Sequence, residues 1–126
     1  WWVLRTFGAE GIRSRLRAHV RLAEQLLAWI GEDARFEVMA PAPFSTVCFR
    51  ALGGPGEPAL QDPAAVDALN ERILSRVNAD GRVFLSHTRL RGRYVLRAAI
   101  GNLRTEERHV RLAWELARAA LAAETV

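Results

Sequence analysis

The chain contains no lysine: all 18 of its strongly basic residues are arginine. No side chain therefore offers a primary amine, and no side chain here can condense with an aldehyde to form a Schiff base. Cysteine is nearly absent too. Cys48 stands alone, which excludes an internal disulfide and suits a reducing, cytoplasmic setting. No apolar run approaches the ~20 residues that cross a bilayer, and no cleavable leader pattern opens the chain, so no membrane partner is expected. His19, His87 and His109 form no HxxxH pair or other metal-ligand spacing, so no metal is expected. Gly53-Gly54 belongs to no Walker or GxGxxG pattern, and Ser14, Ser45, Ser75 and Ser86 lie outside any GxSxG context. Nucleotide-loop and serine-hydrolase chemistry are thus unsupported.

What is present describes one ordinary domain. At 126 residues and 50% hydrophobic, the chain can bury roughly two-thirds of its unfolded surface. The net charge of +4 raises the question of nucleic acid, because Arg13, Arg17 and Arg21 share one helical face at i, i+4, i+8. Glu10 and Glu24 bracket that stripe and no aromatic stacking platform accompanies it. A solvated face, or one turned toward another domain, accounts for it better, and no nucleic acid is expected.

Periodicity divides the chain clearly. A long helix is expected from about Ala9 to Ile30, with Ile12, Leu16, Val20, Ala23, Leu27 and Ile30 as its apolar stripe. Strands follow near Arg35 to Ala40 and Ser45 to Ala51, and Gly53 to Asp62 reads as an exposed loop. Asp62 as N-cap and Pro63 at the first position start a second helix, whose Val66, Leu69, Ile73 and Val77 face inward and which stops near Asp80-Gly81. From Val83 the sequence alternates with period two through Thr88, and again from Val95 to Ile100, around a Leu90-Arg91-Gly92-Arg93 turn in which glycine supplies a positive φ. Thr105 is the expected N-cap of a last helix to about Glu124, with acids in its first turn and Val110, Trp114, Ala117 and Leu121 turned to the core. This αββαββα order predicts an α+β fold: a four-stranded, mainly antiparallel sheet with about three helices packed on one face. Cys48, between Val47 and Phe49, reads as a small core residue rather than a nucleophile.

Several segments, in order, resemble the pyridoxal-phosphate-dependent group II decarboxylases, whose members act on aromatic amino acids, histidine and glutamate. Trp1 to Gly8 is similar to the helix entering the family's small C-terminal domain, and Gly11 to Val20 to the start of its long helix. Phe36-Glu37-Val38 and Val47-Cys48-Phe49-Arg50 resemble its first two strands. Tyr94 to Ile100 resembles its last strand, and His109-Val110 with Ala113-Trp114-Glu115 its closing helix. The likeness runs over the whole chain, nearest to the aromatic-amino-acid branch. It implies the small-domain fold of fold-type I enzymes, with residues 1–126 as one C-terminal domain and 1–8 as the end of a helix linking to a large domain of the same polypeptide. The family's lysine and cofactor-binding loops belong to that large domain. Trp1 without an initiator methionine suits a fragment that lacks it, one inactive alone.

The resemblance further implies a carboxy-lyase that converts an L-amino acid to an amine and CO2, with pyridoxal phosphate bound by the large domain. This domain would close the active-site cleft and support a cytoplasmic homodimer. The resemblance makes Arg97 the candidate substrate ligand, since the arginine at the corresponding strand position of the glutamate-decarboxylating members binds a substrate carboxylate, and a strand-borne guanidinium can fork onto one. It can equally be structural, paired with an acid such as Glu37 or stacked within the sheet. His87, beside the same strand, is a candidate to line the cleft, or a satisfied structural histidine. Trp1, Trp2 and Phe7 either pack on the long helix or cover a surface of the large domain or a second subunit. The alternative of another class is a freestanding dimerisation or nucleic-acid-binding module without chemistry.

Overall fold

The computed structural model describes residues 1–53 and 62–124, so most of the expected Gly53 to Asp62 loop lies outside the described residues. The elements are α1 (Trp2–Gly31), β1 (Phe36–Val38), β2 (Thr46–Ala51), α2 (Pro63–Ala79), β3 (Ser86–Leu90), β4 (Arg93–Ala99) and α3 (Glu107–Glu124). They build one four-stranded sheet in the order β1-β2-β4-β3, antiparallel at every pairing. The three helices pack over one face of it, as the alternation of apolar residues demands.

β1, β2 and β4 send alternate residues into that helix-side core, whereas the helix-side residues of edge strand β3, His87 and Arg89, are exposed. Phe36 from β1, Val47, Phe49 and Ala51 from β2, and Tyr94, Leu96 and Ala98 from β4 are all buried there. Trp114 of α3 meets Phe36 at 4.8 Å and Phe49 at 6.2 Å, edge-on in both cases. Such ring pairs add about 0.5–1.5 kcal/mol each beyond their buried area. Asp62 caps α2 by accepting the Ala64 N–H at 3.1 Å, and Pro63 fills the first helical position. At the hairpin tip both Arg91 (φ 52°) and Gly92 (φ 79°) have positive φ, the type I′ geometry whose twist matches the flanking strands.

Three polar side chains of α2 finish the strand backbones. The β2–β4 ladder is recorded as far as Phe49 opposite Leu96, which makes Ala51 and Tyr94 the residues that would pair two steps on. Both turn to α2 instead. Asp67 accepts the Tyr94 N–H at 2.9 Å, and fully buried Asn70 bonds the N–H of Ala51 at 2.8 Å and its carbonyl at 2.9 Å. Two turns further on, Asn78 does the same for Leu85, at 2.9 Å on each side. A primary amide carries both the donor and the acceptor of a peptide group, so it can replace a missing strand neighbour.

The structure corrects several expectations. One expectation holds: α1 breaks at Gly8, whose φ of 65° with ψ of 170° is open only to glycine, and this separates a short opening helix from the long one. Of the expected stripe Ala23 and Ile30 are buried and Leu27 packs on the core, while His19 and Leu26 complete the buried face and Leu16 is 58% exposed. The first two strands are shorter than expected, and β3 starts at Ser86 rather than Val83. Thr105 does not cap α3. Its own N–H is spent on the Asn102 carbonyl at 3.0 Å, and the Glu106 N–H ahead of the helix is accepted by Nδ1 of His109 at 3.0 Å, a ring doing the work of a capping-box glutamate. Trp1 and Trp2 do not pack on the long helix; they are 80% and 82% exposed.

Two measurements check this packing. Asn70→Ala leaves both backbone groups of Ala51 buried without partners and should lower the unfolding free energy by about 3 kcal/mol in denaturant titration; a loss below about 1 kcal/mol contradicts the role given to Asn70. The second concerns Asp33, where α1 ends: its carboxyl is held below its ordinary value of 3.8, first by the hydrogen bonds of Arg35. Its contribution is therefore present above pH 3.8 and lost as pH falls through the lower folded value. The acid limb of the stability curve should flatten in Asp33→Asn; an unchanged limb counts against the pair.

Candidate functional site

The alternation that fills the core also populates the sheet face turned away from the helices. Along β4 that face receives Arg93, Val95, Arg97 and Ala99, while β2 adds Thr46, Cys48 and Arg50 and β3 adds Ser86 and Thr88. Arg97 lies on a central strand, opposite Cys48 on one side and Ser86 on the other. Its Nε donates to Ser86 Oγ at 2.9 Å, and the Ser86 hydroxyl is 3.4 Å from the Arg97 carbonyl. The two terminal nitrogens of Arg97 make no hydrogen bond or ion pair among the described residues. The side chain is exposed, so its charge is not a buried one that must be neutralised within the fold.

The acid expected for Arg97 belongs to another arginine. Glu37 pairs with Arg50, Nε to Oε1 at 2.5 Å, across the β1–β2 rung that sets the two residues opposite each other. Arg50 is 8% exposed and carries the buried charge on this face. The structural reading of Arg97 as Glu37's partner is thereby overturned. Arg50 went unremarked as a site residue in the sequence; the clue was its position directly across a strand pair from an acid.

Cys48 is not in the core. It is half-buried on the helix-free face opposite Arg97, because it is flanked in the strand by the inward residues Val47 and Phe49. Burial pushes its thiol above the ordinary value of 9.0, and the positive charge of Arg97 offsets part of that. His87 pairs with Leu96 and so faces the other way, onto the helix side at the sheet edge, where its ring stacks on Tyr94 at 4.8 Å. Arg97 and His87 stand on opposite faces and are not brought together.

The remaining histidines serve the turn between β4 and α3. His19 is buried and its Nε2 lies 3.2 Å from the Asn102 carbonyl, to which it can only donate, while His109 caps α3 as described. Among the described residues no group of histidine, cysteine and carboxylates is arranged to hold a metal ion. No helix is long and apolar enough to cross a membrane. Arg13 and Arg17 both lean on Glu10, at 3.6 and 3.3 Å, which draws charge out of the basic stripe. Among the described residues this face offers the Arg97 guanidinium, held at Nε by Ser86 and without an ion pair: a receptor for a carboxylate.

Residues 1–52 match the family described as pyridoxal-dependent decarboxylase conserved domain. A tryptophan decarboxylase of Camptotheca acuminata is 40% identical over 116 residues, 92% of this chain and 22% of that protein. A phenylacetaldehyde synthase of Arabidopsis thaliana is 39% identical over 116 residues, 92% of this chain and 23% of that protein. The crystal structure of Oryza sativa TDC with PLP and tryptamine superposes with a TM-score of 0.90 at 36% identity, covering 100% of this chain and 26% of that one. The chain is thus similar to pyridoxal-dependent decarboxylases and corresponds to part of their length. It spans less than a quarter of the curated relatives it matches. With no lysine among its 126 residues, the chain offers no side-chain amine for a Schiff base.

Placing Arg97 beside Cys48 gives a chemical check. The thiol should alkylate slowly at about pH 8.5, where a raised value leaves little thiolate. Arg97→Gln removes the charge that favours the thiolate and should slow iodoacetamide further; an equal or faster rate contradicts the proximity.

Proposed function

We propose that the chain is the C-terminal, cleft-closing part of a pyridoxal-phosphate-dependent decarboxylase that converts an L-amino acid to its amine and CO2. The observation that carries this is the free fork of Arg97 on a sheet face that no helix of the chain covers. A guanidinium fixed at Nε, with both terminal nitrogens available, is shaped to take a carboxylate through two parallel charge-assisted hydrogen bonds. In this reading Arg97 holds a carboxylate of the amino-acid substrate at the wall of the cleft. The cofactor, held elsewhere in the complete polypeptide, supplies the electron sink. The 126-residue chain by itself is inactive, for want of the lysine. His87 belongs to the sheet edge rather than to substrate in this reading, since its ring is committed to Tyr94.

The exposed apolar end of the chain fits the same proposal. Trp1, Trp2, Val3 and Leu4 are all more than half exposed ahead of the break at Gly8. Single exposed apolar residues need no explanation, but four in succession mark a surface that another body covers. We assign that body to the large domain of the same polypeptide, or the second subunit of a cytoplasmic homodimer. The resemblance to both a tryptophan decarboxylase and a phenylacetaldehyde synthase favours an aromatic amino acid as substrate. Arg97 does not itself read the side chain.

In the complete enzyme Arg97→Lys keeps a positive charge but loses the fork, and should cost about 1.5–3 kcal/mol in kcat/KM with the melting temperature unchanged. Steady-state kinetics and a thermal melt on one preparation decide it. Unchanged kinetics with a lowered melting temperature assigns Arg97 to the fold and sinks the reading.

A further inference from the structure

Nearly every arginine that makes a side-chain hydrogen bond among the described residues makes it to a carboxylate. Asp33 takes Arg35 and Arg118, Asp80 takes Arg82, Asp67 takes Arg89, and Glu124 takes Arg72 and Arg76. Arg97 is different. Its guanidinium is fixed by a neutral hydroxyl, Ser86 Oγ, with no ion pair. A carboxylate in Ser86's place would hold the side chain more strongly, and would also cancel the charge and compete for the fork. A hydroxyl holds it while leaving the charge whole.

We infer that Ser86 is a positioning residue that aims Arg97 at its carboxylate ligand. The inference rests on the reading of Arg97 as a carboxylate receptor and extends it to the edge strand. Ser86 and Arg97 are directly opposite in the β3–β4 register, so the serine reaches Nε from the side and the terminal nitrogens are left pointing away from it. The direction of each bond is fixed by chemistry. Nε–H can only donate, so the hydroxyl oxygen accepts, and the hydroxyl proton is directed to the Arg97 carbonyl at 3.4 Å. A free arginine on an exposed strand face samples many rotamers, and ordering it on binding weakens affinity. Ser86 sets that order before the ligand arrives.

The test uses the complete polypeptide and an inert ligand, a 3-arylpropionate, which keeps the carboxylate of an aromatic amino acid and lacks the amine. Ser86→Ala and Ser86→Val should each weaken its Kd by calorimetry by about 2- to 10-fold, the scale of ordering one rotamer-rich side chain on binding. The substrate KM should rise in step while kcat stays within about twofold, as uniform loss of binding requires. Ser86→Thr restores the hydroxyl and should restore both quantities. If Arg97→Gln weakens the ligand and the two Ser86 variants do not, the positioning role is overturned and the Arg97 reading survives. If Arg97→Gln also leaves Kd unchanged, the reading and the inference fall together. Weakened binding in all three Ser86 variants, threonine included, overturns the role of the hydroxyl, since the cause would then be the backbone of the edge strand.

Discussion

The register of β4 between β2 and β3 governs the rest of the molecule. Side chains in a strand alternate, so one register puts Tyr94, Leu96 and Ala98 against the helices and Arg97 on the opposite face; a slip of one residue would exchange them. Burial of Leu96 at 0% exposure and of Ala98 at 6% makes that slip costly. The strand ends are where a register can drift, and there α2 intervenes. Asp67 holds the Tyr94 N–H, Asn70 both backbone groups of Ala51, and Asn78 those of Leu85. The helix thus acts as a polar clamp on three strands as well as a lid on their apolar face.

With the register set, the charges sort themselves. The acid on the helix-free side of β1, Glu37, stands opposite Arg50 and neutralises it, so the buried cation on that face is matched. Arg97 is two strand positions away from the residue opposite Arg50, too far to share Glu37, and keeps its charge. Burying an unpaired charge is expensive, whereas leaving one exposed is not, so the fold tolerates Arg97 only because the face is open. The same openness lets a carboxylate ligand approach. One geometric fact therefore accounts both for the stability of the arrangement and for its use.

Much of this was legible in the sequence. The element order, the I′ hairpin at Arg91-Gly92, the Asp62-Pro63 helix start and the inward faces of α2 and α3 follow from local rules of period, turn and cap. The family likeness was legible as well, because it is carried by short segments in a fixed order. What was not legible depends on which element lies beside which. Leu16 has the right period for a buried position, but no strand reaches it. Thr105 has the right chemistry for a cap, but the helix starts at Glu107, so the residue ahead of it is Glu106, whose N–H is accepted by the His109 ring. Whether Glu37 would meet Arg50 or Arg97 depended on strand order, which the sequence left open. Asp67, Asn70 and Asn78 read as ordinary polar helix residues until the strand ends they serve are known.

The central claim is that the helix-free face of this sheet presents Arg97 to a carboxylate. A crystal structure of the complete polypeptide with an unreactive aromatic amino-acid analogue tests it most directly. The expected result places both terminal nitrogens of Arg97 about 3 Å from one carboxylate of the ligand, with Nε still on Ser86. A ligand whose carboxylate is held wholly by other residues, with the Arg97 fork turned to solvent or to a protein acid, would contradict the account.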